Sequence, residues 1–375
     1  MLPQPPLWLV LIAFICALGP LVFFHELGHY LVARAFKIPA ETFSIGFGHE
    51  IFGWTDRQGT RWKVAWLPLG GYVKFVGDMT PASNPAELES IPEHLREHAF
   101  QLRPVWQRFL VVLAGPVANF LLAILIFAAF FMTLGAPRTN IVGQVLPNTA
   151  AAAAGIREGD KILSVAGRET PSFDDIRSIV MLRANETVPI RIERKGQASE
   201  LSVHLQSDTV TDPFGQRFKR GLLGVAPTTT VLERLPVHKA VPEACHYTLL
   251  IVRSMVDGLG QIITGRRGTE DVGGPIKIAQ IAGQQAILGA LPFVQLLALF
   301  SINLGFINLL PVPMLDGGHL FFYAVEGIRR RPLSARALEW AFRGGLAVIL
   351  ALVAFTTIND LGSLGLWDQL QRLIG

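Results

Sequence analysis

The sequence predicts a multi-pass α-helical membrane protein of about four transmembrane helices, with a membrane-associated β-hairpin and an inserted periplasmic α+β domain. Three observations predict this fold class. Half of the 375 residues are hydrophobic and only 17% are charged, against about 25% charged in a soluble domain. Several stretches are free of charge over about the 20 residues that a helix needs to cross a bilayer. One polar stretch between them changes period from helical to alternating.

Composition also excludes some classes. The net charge of +4 is modest and sits in short loops, which speaks for membrane topology and against a nucleic-acid partner. Cys16 and Cys245 stand far apart, so neither a disulfide framework nor a cysteine zinc site is supported.

Residues 7–24 carry no charge, and the apolar pattern continues past His25 and Glu26 to Phe36. No Lys or Arg precedes this run, and it ends in ionisable residues. Segment 1–36 therefore reads as a retained first transmembrane helix and not as a signal peptide. Segment 37–104 reads as a cytoplasmic-side, membrane-associated β region and loop. Asp56-Arg57-Gln58-Gly59 is a turn, Trp62, Val64 and Trp66 alternate before Gly70-Gly71, and Tyr72, Val73, Phe75 and Val76 resume the pattern. An exposed edge of such a hairpin can pair with an extended chain, while Trp54 and Trp62 read individually as interfacial anchors.

The second helix falls in 105–137, with residues 109–134 free of charge. The inserted domain occupies 138–226. Val188, Ile190 and Ile192, then Leu201, Val203 and Leu205, alternate with polar residues around the Lys195-Gly196 turn. Ser172 and Asp175 precede Ile176, Ile179, Val180 and Leu182, the pattern of a capped helix with an apolar face. Segment 227–287 reads as an amphipathic connector near the outer surface, with Arg253, Asp257, Arg266 and Arg267 among Leu249, Ile251, Val252 and Ile262.

The third transmembrane segment lies in 288–325, its apolar run ending at Leu315 and broken by Pro311 and Pro313. Segment 326–375 holds the basic loop of Arg329, Arg330 and Arg331, a fourth span around 344–358 extended by its neighbours, and a C-terminal tail. With four spans, Arg34, Lys37, Arg103, Arg108 and Arg329 to Arg331 share one side, which the positive-inside rule makes the cytosol.

His25-Glu26-Leu27-Gly28-His29 is an H-E-x-x-H motif. Residues four apart share a helix face, so two imidazoles can meet one metal ion while Glu26 takes a proton from its water. A catalytic zinc needs a third protein ligand. Asp316, at the end of the third apolar run, is favoured for it, with His319 as the competitor. Ionisable residues at membrane depth are costly and tend to be functional.

His25-Glu26-Leu27-Gly28-His29 paired with Asn308, Pro311, Pro313 and Leu315-Asp316-Gly317-Gly318 resembles the site-2 protease family. Gly115-Pro116-Val117-Ala118-Asn119 and Gly273-Gly274-Pro275-Ile276 extend the likeness over almost the whole chain. The inserted domain resembles a PDZ domain in its circularly permuted bacterial form, on Gly155 to Asp160, Val165-Ala166-Gly167 and Gly221-Leu222-Leu223-Gly224-Val225. The resemblance implies an intramembrane zinc metalloendopeptidase of the regulator-of-sigma-E type. It implies Zn²⁺ on His25, His29 and Asp316, Glu26 as base and later proton donor, and Asn308 near the active site. By the same resemblance Leu222, Leu223 and Gly224 form a loop that receives a peptide terminus. The implied substrates are single-pass membrane proteins already cut outside, such as anti-sigma factors or signal-peptide remnants, in a bacterial inner membrane. The rival reading is a non-catalytic PDZ-containing adaptor with a structural metal. A metal transporter would want more polar residues along several spans.

Overall fold

The computed structural model describes residues 5–77, 96–137, 139–211, 217–228, 232–265 and 273–363. Arg266, Arg267, most of the loop after the hairpin and the tail beyond 363 lie outside the described residues.

The chain begins with helix α1 (Leu7–Ala35), strands β1 (Ala40–Thr55) and β2 (Arg61–Phe75), and helix α2 (Val105–Thr133). Next come β3 (Ala136–Pro137), β4 (Val142–Val145), α3 (Ala150–Ala153), β5 (Lys161–Val165), β6 (Arg168–Glu169) and α4 (Phe173–Met181). Strands β7 (Thr187–Arg194), β8 (Gln197–His204), β9 (Gln206–Thr211), β10 (Arg217–Leu222), β11 (Val225–Pro227) and β12 (Leu232–Glu233) follow. Helices α5 (Val237–Ile263), α6 (Pro275–Leu288), α7 (Ala290–Leu309), α8 (Asp316–Arg329) and α9 (Ala335–Ser363) complete the described chain.

Helices α1, α2, α7 and α9 are long and apolar enough to cross a bilayer. At about 1.5 Å per residue the 29 residues of α1 reach about 44 Å, well beyond the hydrocarbon core. The fourth such helix runs further than the 344–358 core of the pattern, because its flanking residues stay helical. Residues 3–123 with 274–358 form one compact unit, and residues 124–273 form another.

In the first unit, α1 and α2 meet at Gly28, where a Cβ would collide with the Ala114 carbonyl and lie 2.7 Å from the Ala118 Cβ. Ala13 and Ala17 of α1 form a common core with Ala282 of α6 and Leu296 of α7. The β1–β2 ribbon folds on itself: Thr42 to Ile45 are paired both with residues 71–74 and with residues 61–64. Its apolar face packs Phe43 and Phe75 on Tyr30, Ile38, Phe100 and Val111.

Trp62 departs from the expected interfacial anchor. It stacks on Phe43 at 4.2 Å and donates through Nε1 to Asp56 at 3.0 Å, because the folded ribbon turns its face inward. Trp54 and Trp66 stay exposed. Arg103 donates to the Phe36 carbonyl at 3.1 Å, closing the C-terminal end of α1.

The third span stops at Leu309, and Leu310 is extended. Neither Pro311 nor Pro313 has an N–H to continue the helix. Asp316 therefore does not close the third run but opens a new helix, α8. At the far end of α8, Glu326 accepts from Arg108 of α2 at 2.7 Å, and the guanidinium also lies 4.9 Å from the Tyr323 ring.

In the second unit β5 to β8 make a four-stranded sheet in the order β6-β5-β7-β8. The expected hairpin is β7–β8, and its alternation buries Val188, Ile190, Ile192 and Val203 against Ile176, Ile179 and Val180 of α4. Helix α4 starts at a capping box: Ser172 Oγ accepts the Asp175 N–H, and the Asp175 carboxylate accepts the Ser172 N–H at 2.9 Å.

The single connector expected over 227–287 is two helices, divided near Gly273. Helix α6 sits on α1 in the first unit. Helix α5 docks on the sheet domain: Asp257 takes a two-pronged bond from Arg168, Asp175 lies 3.3 Å from His246, and Gln261 donates to the Leu182 carbonyl.

Two outcomes follow for the second unit. Ser172→Ala removes the cap acceptor and should lower stability by about 1 kcal/mol, read as faster hydrogen exchange in α4. The buried Asp160 is pushed up by burial, but bonds from Arg194 and the Arg157 N–H outweigh this and hold it below the usual carboxylate value. A depressed folded pKa stabilises the fold above the unfolded value of about 3.9, and that stabilisation is lost as the pH falls through the folded one. The melting temperature of this domain in the full chain should therefore fall on acidification, with a shallower acid slope in Asp160→Asn.

Candidate metal centre

The two histidines of the motif sit one turn apart on α1, both buried, with ring centroids 4.8 Å apart and the rings nearly perpendicular. Their Nε2 atoms lie 3.2 Å apart. Asp316, delivered by the break after α7, brings Oδ2 to 3.1 Å from His25 Nε2 and 3.6 Å from His29 Nε2. Among the described residues this is the one cluster of three His, Cys, Asp or Glu whose ligand atoms all lie within 4.8 Å of one another. His319, the competing candidate, lines the same cavity but is not in the cluster.

The loop that delivers Asp316 is tightly made. The Val312 N–H turns back to the Leu310 carbonyl at 2.7 Å, and Met314 adopts φ +85°, a conformation that non-glycine residues rarely hold. Such local strain persists only where its surroundings enforce it.

Helix α2 supplies the bed beneath the imidazoles. The His29 Nδ1–H donates to the Val111 carbonyl at 2.8 Å, which leaves Nε2 as a lone pair facing the cluster. Gly115, one turn on, leaves room for both rings: a Cβ there would collide with His29 Nε2 and lie 2.9 Å from His25 Cε1. Asn119, one further turn on, lies 3.1 Å from His25 Nδ1.

The donor set fits zinc. Tetrahedral coordination at roughly 2.0–2.1 Å spaces ligand atoms about 3.3 Å apart, close to the three separations seen. Asp316 Oδ2 is buried without a hydrogen-bond donor. A carboxylate oxygen crowded by imidazole lone pairs repels them unless a cation lies between. His25, His29 and Asp316 would hold that cation and leave a fourth position for water.

Glu26, partly buried between the histidines, has the Val73 backbone N–H of β2 as a neighbour. It faces a cavity of about 620 Å³ that also touches Gly70, Gly71, Asn308 and His319. Asn308 on α7 places Nδ2 3.5 Å from His25 Nε2, at the limit of a hydrogen bond. Leu222, Leu223 and Gly224 belong to the other unit, where they line a cavity of about 370 Å³ beside Ile176 and Val180. Sequence reasoning noted Asn119 only as part of a motif and missed Val111, whose contribution is a backbone carbonyl with no side-chain signature. Glycine at 115, followed by Pro116 inside an apolar span, was the one available signal.

The profile of peptidase family M50 matches residues 13–352. A protein of Agrobacterium fabrum that carries the name of a zinc metalloprotease is 42% identical over 362 residues, covering 94% of this chain and 96% of its own. Metalloprotease MmpA of Caulobacter vibrioides is 38% identical over 380 residues, covering 94% of this chain and 95% of its own. The PDZ domain of the SdrC-like protein from Listeria monocytogenes matches 25% of this chain and 90% of its own at 17% identity, with a TM-score of 0.20. The profile and the relatives cover both halves of the cluster that the fold brings together, so the chain belongs to peptidase family M50, the site-2 proteases, and is a zinc metalloprotease of the membrane.

Proposed function

We propose that the protein hydrolyses peptide bonds in or beside the transmembrane segments of single-pass membrane proteins that have already been cut outside the membrane. One observation carries this reading. The His25–His29–Asp316 cluster, Glu26 and the backbone of Gly70 to Val73 face one cavity. A membrane-spanning substrate helix hides its peptide groups in its own hydrogen bonds, so it must unwind before attack. The β2 segment offers backbone partners to an extended chain beside the cluster.

His25, His29 and Asp316 would hold Zn²⁺, which when bound would lower the pKa of a water and polarise the scissile carbonyl. Glu26 takes the proton of the attacking water and delivers it to the leaving amine nitrogen. Asn308, on the same cavity wall, donates its amide to the carbonyl oxygen as negative charge develops. Val22, Val112 and Leu304 line the same cavity with apolar side chains.

The basic loops support a bacterial inner-membrane placement with the active site toward the cytoplasm and the sheet domain outside. That domain is read as PDZ-like. Its groove at Leu222, Leu223 and Gly224 is suited to a chain terminus, which would favour trimmed substrates such as anti-sigma factors or signal-peptide remnants.

The test is cleavage of a trimmed single-pass substrate by the purified full chain, with zinc content measured on each sample. Glu26→Gln should keep its zinc and lose about 10²–10⁴-fold in turnover; wild-type turnover with zinc bound would remove Glu26 as the base. Gly115→Ala should lose zinc and activity together, since the added methyl occupies the ring space.

A further inference from the structure

We propose that Asn119 is a positioning residue: its side-chain oxygen accepts the His25 Nδ1–H and so locks the tautomer whose Nε2 lone pair faces the zinc. This rests on the reading of His25 as a ligand.

His25 Nε2 is the nitrogen that faces the cluster, 3.2 Å from His29 Nε2 and 3.1 Å from Asp316 Oδ2. A neutral imidazole carries one N–H, so a ligating Nε2 requires the proton on Nδ1. The Asn119 amide is the group that meets Nδ1, at 3.1 Å, and the residue is fully buried. An amide nitrogen there would donate to Nδ1 and force the proton onto Nε2, into the cluster. The amide oxygen and nitrogen are nearly identical in shape, and the surrounding hydrogen bonds decide which faces where. With the nitrogen toward His25, the Asn119 oxygen is left buried without a partner. A half-turn of the amide gives that oxygen its donor and gives Nε2 its lone pair, while the amide N–H groups take the unpartnered place; the choice is set by the lone pair that a ligating Nε2 requires.

Among the described residues, the Asn119 side chain has no hydrogen-bond partner but His25. A buried amide with a single partner is a costly occupant of an apolar helix face that Leu would fill. What it supplies in return is an acceptor at one atom. Its backbone is held in place independently: the Ser301 hydroxyl of α7 donates to the Asn119 carbonyl at 2.7 Å. The arrangement mirrors the other ligand, where the Val111 carbonyl takes the His29 Nδ1–H at 2.8 Å. Val111, Gly115 and Asn119 are spaced one turn apart on α2, so a single helix face sets both tautomers.

The test uses the full chain in detergent, with zinc affinity measured by chelator competition and the ligand field by the visible spectrum of the cobalt(II) form. Asn119→Leu keeps the volume and removes the acceptor. It should bind zinc about 10–100-fold more weakly and shift the cobalt bands. Asn119→Asp keeps an acceptor oxygen and should bind within about threefold of wild type. Should the Leu variant fail to fold, Asn119→Ala takes its place beside Asn119→Asp. Wild-type zinc affinity in the Leu or Ala variant, with zinc lost in His25→Ala, would overturn the role of Asn119 and leave the ligand reading intact. Equal loss in the Asp variant would also overturn it. Undiminished zinc affinity in His25→Ala would instead remove the ligand reading, and this proposal with it.

Discussion

The centre of this protein depends on how closely two membrane helices approach. At Gly28 and Gly115 the backbones of α1 and α2 come near enough that neither position has room for a methyl group. Only that closeness lets the imidazoles of α1 reach the Val111 carbonyl and the Asn119 amide of α2. In a bilayer there is little hydrophobic drive between helices, so small residues at the contact allow packing and hydrogen bonding to hold them. The same contact aims both ring nitrogens at a common point. The geometry of the His25–His29–Asp316 cluster is thus a consequence of helix packing and not a separate construction.

The second requirement is a carboxylate at membrane depth. A charged side chain at the centre of a spanning helix costs about 2.5–3.5 kcal/mol on insertion scales. Asp316 meets this by sitting beyond a break, at the first turn of α8, where helix N-termini favour negative charge. The two prolines end α7, the strained turn at Met314 redirects the chain, and the Arg108–Glu326 pair ties the other end of α8 to α2. Irregular backbone at this depth is tolerated where it borders a cavity, as Met314 and Leu315 do here.

Outside the spans, two kinds of packing meet different demands. The β1–β2 ribbon uses aromatic stacking, with Trp62 between Phe43 and Trp54, to hold its folded form. The sheet domain relies on an alternating aliphatic core and is joined to α5 by polar bonds from Asp257, His246 and Gln261. Polar joints of this kind can open at lower cost than an apolar core.

Much of this was legible in the residues themselves. Charge-free runs of the right length mark spans because the bilayer penalises unpaired charge wherever the chain lies. Two-residue alternation marks β7 and β8, and the H-E-x-x-H spacing places two imidazoles on one face, since both periods are local properties of the backbone. Other features depend on what a residue meets, which no local pattern records. Trp62 reads as an interfacial anchor until the ribbon folds over it, and the 227–287 stretch reads as one connector until its two helices find different partners. The choice of Asp316 over His319 for the cluster, the carbonyl of Val111 and the amide of Asn119 all come from remote segments brought within a few ångströms. The sequence by itself determined the spans, the hairpins and the paired motifs, because these rest on hydropathy and periodicity along the chain. Only the tertiary structure decided which polar groups face one another, because hydrogen bonding and metal geometry are set by distance in space.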